Sequence, residues 1–435
     1  MTRLAQRRKA SALTGSALVV VLTLALSACA GAGTTSGPAA EGDSDLLVWV
    51  DATRQPAVEA YAAENPDVNI TVATVDGGDL ASKLSLLSRD PDSLPDVVFT
   101  ANGESVAFAR DYDYSADLSA LVPQDTLDDF GATISACTDG GKVYCLPQDI
   151  STQMLWYNQA LFDDFGYTVP TTWDEYAELS SRVATEHPGY VTGSCGDGFC
   201  PNVYYRGSSC PGISADGDDA VIRIDSAEEC TRVTAMLDPL LADKSVATLS
   251  PFDPDMTQLG TDKKVLMLPG FVWYGTVLFR DTFHNAPGEI AAAPLPTWGD
   301  DVKGAGAAVG GQWIVGAQSS DPAAAAALIE SMTTDEDALA AAVTFPAYGP
   351  ASAAWIEVAA DSGFYASDPT ETFASARSDV TGDLFTPPGF DILAPFANAV
   401  APKLKQGDTL SSLLGAWQNA ISQSVSDAGY TAVIE

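Results

Sequence analysis

The sequence predicts an α/β fold of more than one domain, and three observations carry that expectation. A short apolar run, Leu46-Leu47-Val48-Trp49-Val50, precedes a helical segment opened by Pro56 and stopped at Asn65-Pro66, and a second run, Val68 to Val75, follows. Strand, helix and strand within about 30 residues require a parallel crossover, and apolar residues on both faces of the second run suit a sheet covered on both sides. A length of 435 residues exceeds what one core ordinarily serves, so two domains are expected. Hydrophobic content of 46% with 18% charged residues belongs to a folded chain rather than a disordered one.

The amino terminus stands apart from that fold. Arg3, Arg7, Arg8 and Lys9 form a basic stretch, Ala17 to Leu26 an apolar one too short to span a bilayer, and Leu26-Ser27-Ala28-Cys29 ends it. This resembles a bacterial lipobox, whose cysteine becomes the lipidated first residue after cleavage; the plainer alternative is a secretory signal with a chance cysteine. Residues 1–28 are thus expected to be a lipoprotein signal peptide. Residues 29–45, rich in Gly, Ser, Thr and Ala without an apolar period, are expected to be a flexible tether.

The next helical pattern holds Leu80, Lys83, Leu84 and Leu87, and Pro95-Asp96-Val97-Val98-Phe99 is a further strand. Asp139-Gly140-Gly141 is a tight turn, a short strand ends at Pro147, and Met154-Leu155-Trp156-Tyr157 is another apolar run before a helix from about Gln159. Thr172 and Glu175 have the spacing of a capping box, in which hydroxyl and carboxylate each satisfy a free backbone N–H. Residues 177–288 read as mostly helical, broken by a glycine-rich, loop-like insert at 191–219. Val265 to Gly270 is a buried strand ending in a turn before Phe271, Trp273 and Tyr274, and Glu289–Pro294 is a strand returning toward the first half. An alanine-rich helix follows Asp321-Pro322, Thr334 caps another, and a helix from Asp408 to Gly429 puts Leu410, Leu413, Leu414, Trp417, Ile421 and Val425 on one buried face. No internal repeat is visible.

Cysteine usage points to an oxidising compartment. Six cysteines remain after Cys29, an even number. Cys137 and Cys145 bracket the turn and most simply pair with each other. Cys195, Cys200, Cys210 and Cys230 leave three pairings open, and their spacing lacks the close pairs of a structural zinc site.

Several function classes are excluded or disfavoured. A formal net charge of −37, more negative still without the signal segment, leaves little to neutralise phosphates, so no nucleic-acid partner is expected. The two histidines, His187 and His284, form no His-Glu-x-x-His, and Gly-x-Ser-x-Gly, Ser-x-x-Lys and a P-loop are missing. Asp111 to Asp117 has Ala116 and Val122 where a calcium loop needs Gly and Glu. Acid pairs such as Asp128-Asp129, Asp163-Asp164 and Asp300-Asp301 point apart on a helix and read as solvated faces. Neither metal nor cofactor is expected.

As an ordered series, Gly141-Lys142-x-Tyr144-x-x-Pro147, Tyr157-Asn158, Pro170-x-Thr172-Trp173-x-Glu175, Pro95-Asp96-Val97-Val98 and Gly310-Gly311 resemble the extracellular solute-binding proteins of sugar ABC transporters, the maltose-binding-protein-like group. The likeness covers roughly residues 46–430 and is weakest across 191–260. It implies a two-lobe periplasmic-binding-protein-like fold of type II, each lobe a mixed sheet flanked by helices and joined by hinge crossovers. Lobe 1 would hold 46–148 and 292–331, and lobe 2 would hold 149–291 and 332–435.

The resemblance also implies a function: a lipid-anchored receptor on the outer face of the bacterial cell membrane, monomeric, handing a carbohydrate to ABC permease subunits without cutting it. Sugar hydroxyls need hydrogen-bond partners and sugar C–H faces stack on aromatic rings. Such groups are expected at strand-to-helix junctions: Thr53 and Arg54, Asp76, Asn102 and Glu104 from the first lobe, and Gln148 and Asp149 at the crossover. Gly311 and Gln312 would offer backbone and amide groups, with Trp313 as a stacking face, and Tyr204, Trp273, Tyr274, Tyr348 and Phe390 would come from the second lobe. Two alternatives remain open: an exported two-carboxylate glycosidase, and the same receptor with a peptide or polyamine ligand.

Overall fold

The computed structural model describes residues 44–75, 80, 83–84, 93–101, 113–210, 212–216, 219–299, 307–380, 390 and 393–435. The expected signal peptide, Cys29, Leu87 and nearly all of the tether lie outside the described residues.

The first sheet has five strands. Strand β1 (Ser44–Val50) pairs in parallel with β2 (Val68–Thr74) on one side and β3 (Val97–Thr100) on the other. The crossover from β1 to β2 is helix α1 (Gln55–Glu64), with Pro56 in its first turn and Asn65 as its C-cap, as the sequence predicts. Beyond β3 come β9 (Gln312–Val315) and then β4 (Leu146–Pro147), both antiparallel to their neighbours. One expectation needs correction. β2 is not covered on both faces; its residues are exposed or half-buried, because it is the edge strand.

The second sheet is organised on β5 (Asp149–Asn158), separated from β4 by Gln148 alone. Antiparallel to it lie β6 (Met267–Phe271), β7 (Ile290–Pro294), β8 (Ala307–Val309) and β10 (Phe345–Pro346). Nine of its ten residues are buried, since strands flank it and helices cover it, which is why Met154 to Tyr157 reads as an unbroken apolar run. The Glu289–Pro294 strand exists but pairs in this second sheet, as does Ala307–Val309, so the chain returns to the first sheet only at Gly310–Gln312. β6 runs through Gly270 to Phe271 instead of turning at the glycine.

Helix α2 (Gln159–Phe165) starts at Asn158, whose side chain accepts from the Leu161 N–H, and stops at Gly166 with φ 69°. Helix α3 (Trp173–Glu186) carries the expected capping box: Thr172 Oγ1 accepts from the Glu175 N–H at 3.1 Å and Glu175 Oε2 accepts from the Thr172 N–H at 3.3 Å. Helix α4 (Glu228–Ala242) packs on α3. Helix α5 (Pro322–Thr334), capped by Asp321, covers the first sheet; the short helix after it is capped by Asp335 and not by Thr334, the last residue of α5. Helix α6 (Leu410–Asp427) buries Leu410, Leu413, Trp417, Ile421 and Val425, with Trp417 edge-on to Tyr205 and Phe396.

Cys137–Cys145 closes the hairpin as expected, and the open pairing resolves to Cys195–Cys200 and Cys210–Cys230. The 191–219 insert is more ordered than its glycine content suggests. It contributes Gly193–Ser194 to a two-stranded pairing, a helical turn at Pro201–Tyr205, and a strand, Ile213–Asp216, paired with Asp219–Ile222. Among the described residues, no helix is long and apolar enough to cross a membrane.

Candidate functional site

Two chain crossings between the sheets run side by side and bring together several of the candidate site residues. Gln148 and Asp149 join β4 to β5, and Gly310 and Gly311 join β8 to β9. The Gln148 N–H donates to the Gly311 carbonyl at 2.7 Å and the Gly310 N–H to the Asp149 carbonyl at 3.0 Å. The Gly311 N–H also donates to Asp149 Oδ1 at 2.6 Å. Such close approach explains both glycines: a Cβ on Gly310 would lie 1.6 Å from Asp149 Oδ1, and one on Gly311 2.2 Å from the Phe99 ring.

Arg54, just after β1, joins this group. Its Nη2 donates to Asp149 Oδ2 at 3.3 Å, its Nη1 to Asp51 Oδ2 at 3.0 Å, and its guanidinium lies 4.4 Å from the centre of the Phe99 ring. The Asp149 side chain is 5% exposed and that of Arg54 22%, so the pair is held in a largely water-excluded setting while the guanidinium keeps an outer edge. Thr53 is exposed and its N–H donates to Asp51 Oδ1. Trp313 is fully buried, its indole N–H donating to Gln148 Oε1 and its ring edge-on to Phe99, so it supports the crossover and offers no open face. Gln312 is fully buried with neither amide atom hydrogen-bonded, an arrangement that costs roughly 1–3 kcal/mol per group.

A second group of candidate residues, just after β6, is aromatic. Trp273 is half-buried, nearly parallel to Phe271 (centroids 5.6 Å, 6°) and to Phe252 (6.0 Å, 14°), and edge-on to Tyr274 and Phe199. The Val272 N–H donates to the Thr152 carbonyl at 2.8 Å, and Phe271 pairs with Gln153. Thr152 Oγ1 and Gln153 Oε1, buried on β5, also lack hydrogen bonds.

Other expected site residues are not brought to these groups. Tyr204 is fully buried, its hydroxyl 3.1 Å from that of Tyr176 and its pKa pushed up to about 12 by burial. Tyr274 is buried under Gly270, and Phe390 is buried against Tyr430. Tyr348 is close in the chain to the crossover, since Pro346 pairs with Asp149, but its hydroxyl donates to Asp129 Oδ2 at 3.1 Å and its ring meets Phe130. Asp76, Asn102 and Glu104 lie outside the described residues. Sequence reasoning missed Asp51, Phe199 and Phe252. Asp51 could have been found as the first residue past β1; the two phenylalanines sit where the chain gave no periodic signal. Among the described residues, no group of three or more His, Cys, Asp or Glu side chains could hold a metal ion.

A protein-family model described as bacterial extracellular solute-binding protein matches residues 48–339. The multiple sugar-binding protein of Streptococcus mutans is 24% identical over 161 residues, a stretch spanning 36% of this chain and 36% of that relative. Among solved structures, the galacto-N-biose-/lacto-N-biose I-binding protein of an ABC transporter from Bifidobacterium longum, in complex with lacto-N-biose, superposes with a TM-score of 0.70 at 17% identity, covering 90% of this chain and 99% of that one. The GacH receptor of Streptomyces glaucescens, solved unliganded and with acarbose, gives 0.68 at 20% identity over 88% and 99%. The cyclic α-maltosyl-1,6-maltose binding protein of Arthrobacter globiformis gives 0.67 at 20% over 89% and 100%. These likenesses establish the type II periplasmic-binding-protein fold.

Proposed function

We propose that this chain, which belongs to the bacterial extracellular solute-binding protein family, is a lipid-anchored receptor that binds a carbohydrate between two lobes and presents it intact to an ABC permease. The first lobe is built on the sheet β1–β4 and β9, the second on β5–β8 and β10. Gln148-Asp149 and Gly310-Gly311 are the hinge crossovers. Cys29 is the lipidated residue, and the receptor is a monomer.

What supports the reading is the presence of two unlike groups of residues, one at the crossovers and one just after β6, which the proposal makes the two walls of the cleft. On one side stand the Arg54 guanidinium and the Asp149 carboxylate, on the other the half-buried Trp273 with its aromatic neighbours. A sugar ring presents hydroxyls at its rim and C–H groups on its faces, and these two walls match those two kinds of surface. The exposed Thr53 adds a hydrogen-bonding group on the first side. Because one ligand touches both walls only when the lobes are together, binding favours the closed state by its differential affinity. Hinge closure of periplasmic binding proteins is itself a standard example of such a transition.

The names of the relatives described above, which mention sugars or sugar derivatives, support a saccharide ligand. The test is thermal denaturation with and without glucose, galactose, maltose, lactose and maltotriose, followed by chromatography of the recovered sugar. A receptor gains stability with ligand concentration and returns the sugar unaltered. Hydrolysis products would instead favour a glycosidase, and the absence of any saccharide response would remove the reading.

A further inference from the structure

Of the rings that surround Trp273, one differs from the rest in its setting. Phe271, nearly parallel to the indole, and Tyr274, edge-on to it at 4.7 Å, are both buried, and Phe199 meets it edge-on from the turn closed by the Cys195–Cys200 disulfide. Phe252 is also nearly parallel to the indole, with ring centres 6.0 Å apart and planes within 14°, yet it is 41% exposed. Among the described residues, Trp273 is the one ring that Phe252 contacts. Phe271 and Tyr274 cannot turn without disturbing a packed interior, whereas Phe252 has solvent to turn into.

The backbone that carries Phe252 is fastened on both sides. The Phe252 N–H donates to Ser250 Oγ at 3.3 Å, and Ser250 Oγ donates to Asp197 Oδ2 at 2.6 Å. Asp197 Oδ1 accepts from the Phe199 N–H at 2.9 Å, which ties the 250–253 turn to the disulfide-closed one. That second turn is itself held where the Cys195 N–H donates to the Ala247 carbonyl at 2.8 Å and Ser194 Oγ to the Leu249 carbonyl at 2.6 Å. Asp253 anchors the far side, accepting from the Ser250 N–H at 3.0 Å and from Lys405 Nζ at 2.8 Å. With the main chain tied in this way, the freedom left to Phe252 is rotation of its side chain, a fast motion for an exposed ring.

We propose that Phe252 is a displaceable cap on Trp273: it stands, before binding, where a sugar face would stack, and a saccharide reaches the indole only when the Phe252 ring turns aside. This rests on the carbohydrate reading above and concerns the same site. The exposed ring shields apolar indole surface that would otherwise meet water, and its offset contact leaves only part of that side open. A ligand that stacks there must replace the ring–ring contact with its own, so the contact is subtracted from the observed affinity, as for any site whose competent form is only partly populated. Phe252 thereby sets how tightly sugar is held without adding to the surface that holds it.

The test is calorimetric titration of the full chain, Phe252→Ala and Phe252→Leu with glucose, galactose, maltose, lactose and maltotriose, alongside thermal denaturation without sugar to show that each variant is folded. Phe252→Ala is expected to bind every sugar that the parent chain binds about three- to ten-fold more tightly, the size of one lost aromatic pair. Phe252→Leu, which keeps apolar bulk without a flat ring, should tighten binding in the same sense. In a Trp273→Ala background the further change Phe252→Ala should leave affinity as it is, because no indole remains to be uncapped. Weaker binding in Phe252→Ala would mean that the ring touches the sugar, and unchanged binding would mean that the indole face is already free. Either result would overturn the cap and leave the carbohydrate reading intact, whereas failure of the parent chain to bind any of the sugars would remove both.

Discussion

The two walls of the proposed site are built on opposite principles. The crossover wall is almost self-satisfied: Asp149 accepts from the Gly311 N–H and from Arg54, Arg54 also reaches Asp51, and Gln148 is held by Trp313. The aromatic wall is open, with Trp273 half-buried and Phe252 exposed. Damage to the first should therefore appear mainly in stability and damage to the second mainly in affinity. The lesson is that a hinge must be defined before anything binds, whereas a stacking surface acquires its partner only on binding.

The sharpest way to break that contrast is at Gly310. Gly310→Ala drives a Cβ into Asp149 Oδ1, 1.6 Å away in the present geometry. Urea denaturation should report a loss of about 3 kcal/mol, the upper end of overpacking effects. A loss under about 0.5 kcal/mol would mean that the crossover is not rigid. Next is Asp149→Ala, which strands a backbone N–H and deprives Arg54 of one of its two carboxylates. Because Asp51 remains, the expected cost is about 2–3 kcal/mol rather than the full penalty of an orphaned buried charge. Trp273→Ala should do the reverse, reducing saccharide affinity about ten-fold or more while costing about 1 kcal/mol of stability. Comparable effects of Asp149→Ala and Trp273→Ala on both readouts would erase the distinction between the walls.

The smallest effect concerns pH. Burial raises the Asp197 carboxyl above its ordinary 3.8, against hydrogen bonds from Ser250 and the Phe199 and Cys200 N–H groups, with Asp253 nearby adding to the rise. A raised carboxyl favours the protonated form in the fold, so its contribution is fullest below the ordinary value and is lost as pH rises through the shifted one. Asp197→Asn should then gain stability relative to the parent as the pH rises above the carboxyl's ordinary value, read by thermal denaturation across a pH series. A difference that stays flat across that series would show that the loop tie is insensitive to this proton.

Legibility in the sequence followed the same division. The first sheet was readable because β1, α1 and β2 are local, and Pro56 and Asn65-Pro66 punctuate them. The capping box at Thr172 and Glu175 and the Cys137–Cys145 staple were likewise local features. The membership of β7 was not, since a five-residue strand carries no mark of which sheet will accept it. Aromatic residues were the hardest to sort. Tyr204, Trp313 and Trp273 look alike in sequence, yet the first two are fully buried and hydrogen-bonded by their polar tips, and only the third keeps an open side. Phe199 and Phe252 became visible only through the Asp197–Ser250 tie, which spans 53 positions.

The claim on which the account depends is that a saccharide is clasped between lobes that move on the Gln148-Asp149 and Gly310-Gly311 crossovers. Small-angle X-ray scattering of the protein, alone and saturated with a di- or trisaccharide shown by calorimetry to bind, measures this directly. The account predicts a smaller radius of gyration in the bound sample, returning to the starting value when the sugar is dialysed away. Saturated binding in Gly310→Ala and the parent chain alike, with no contraction in either, would contradict it.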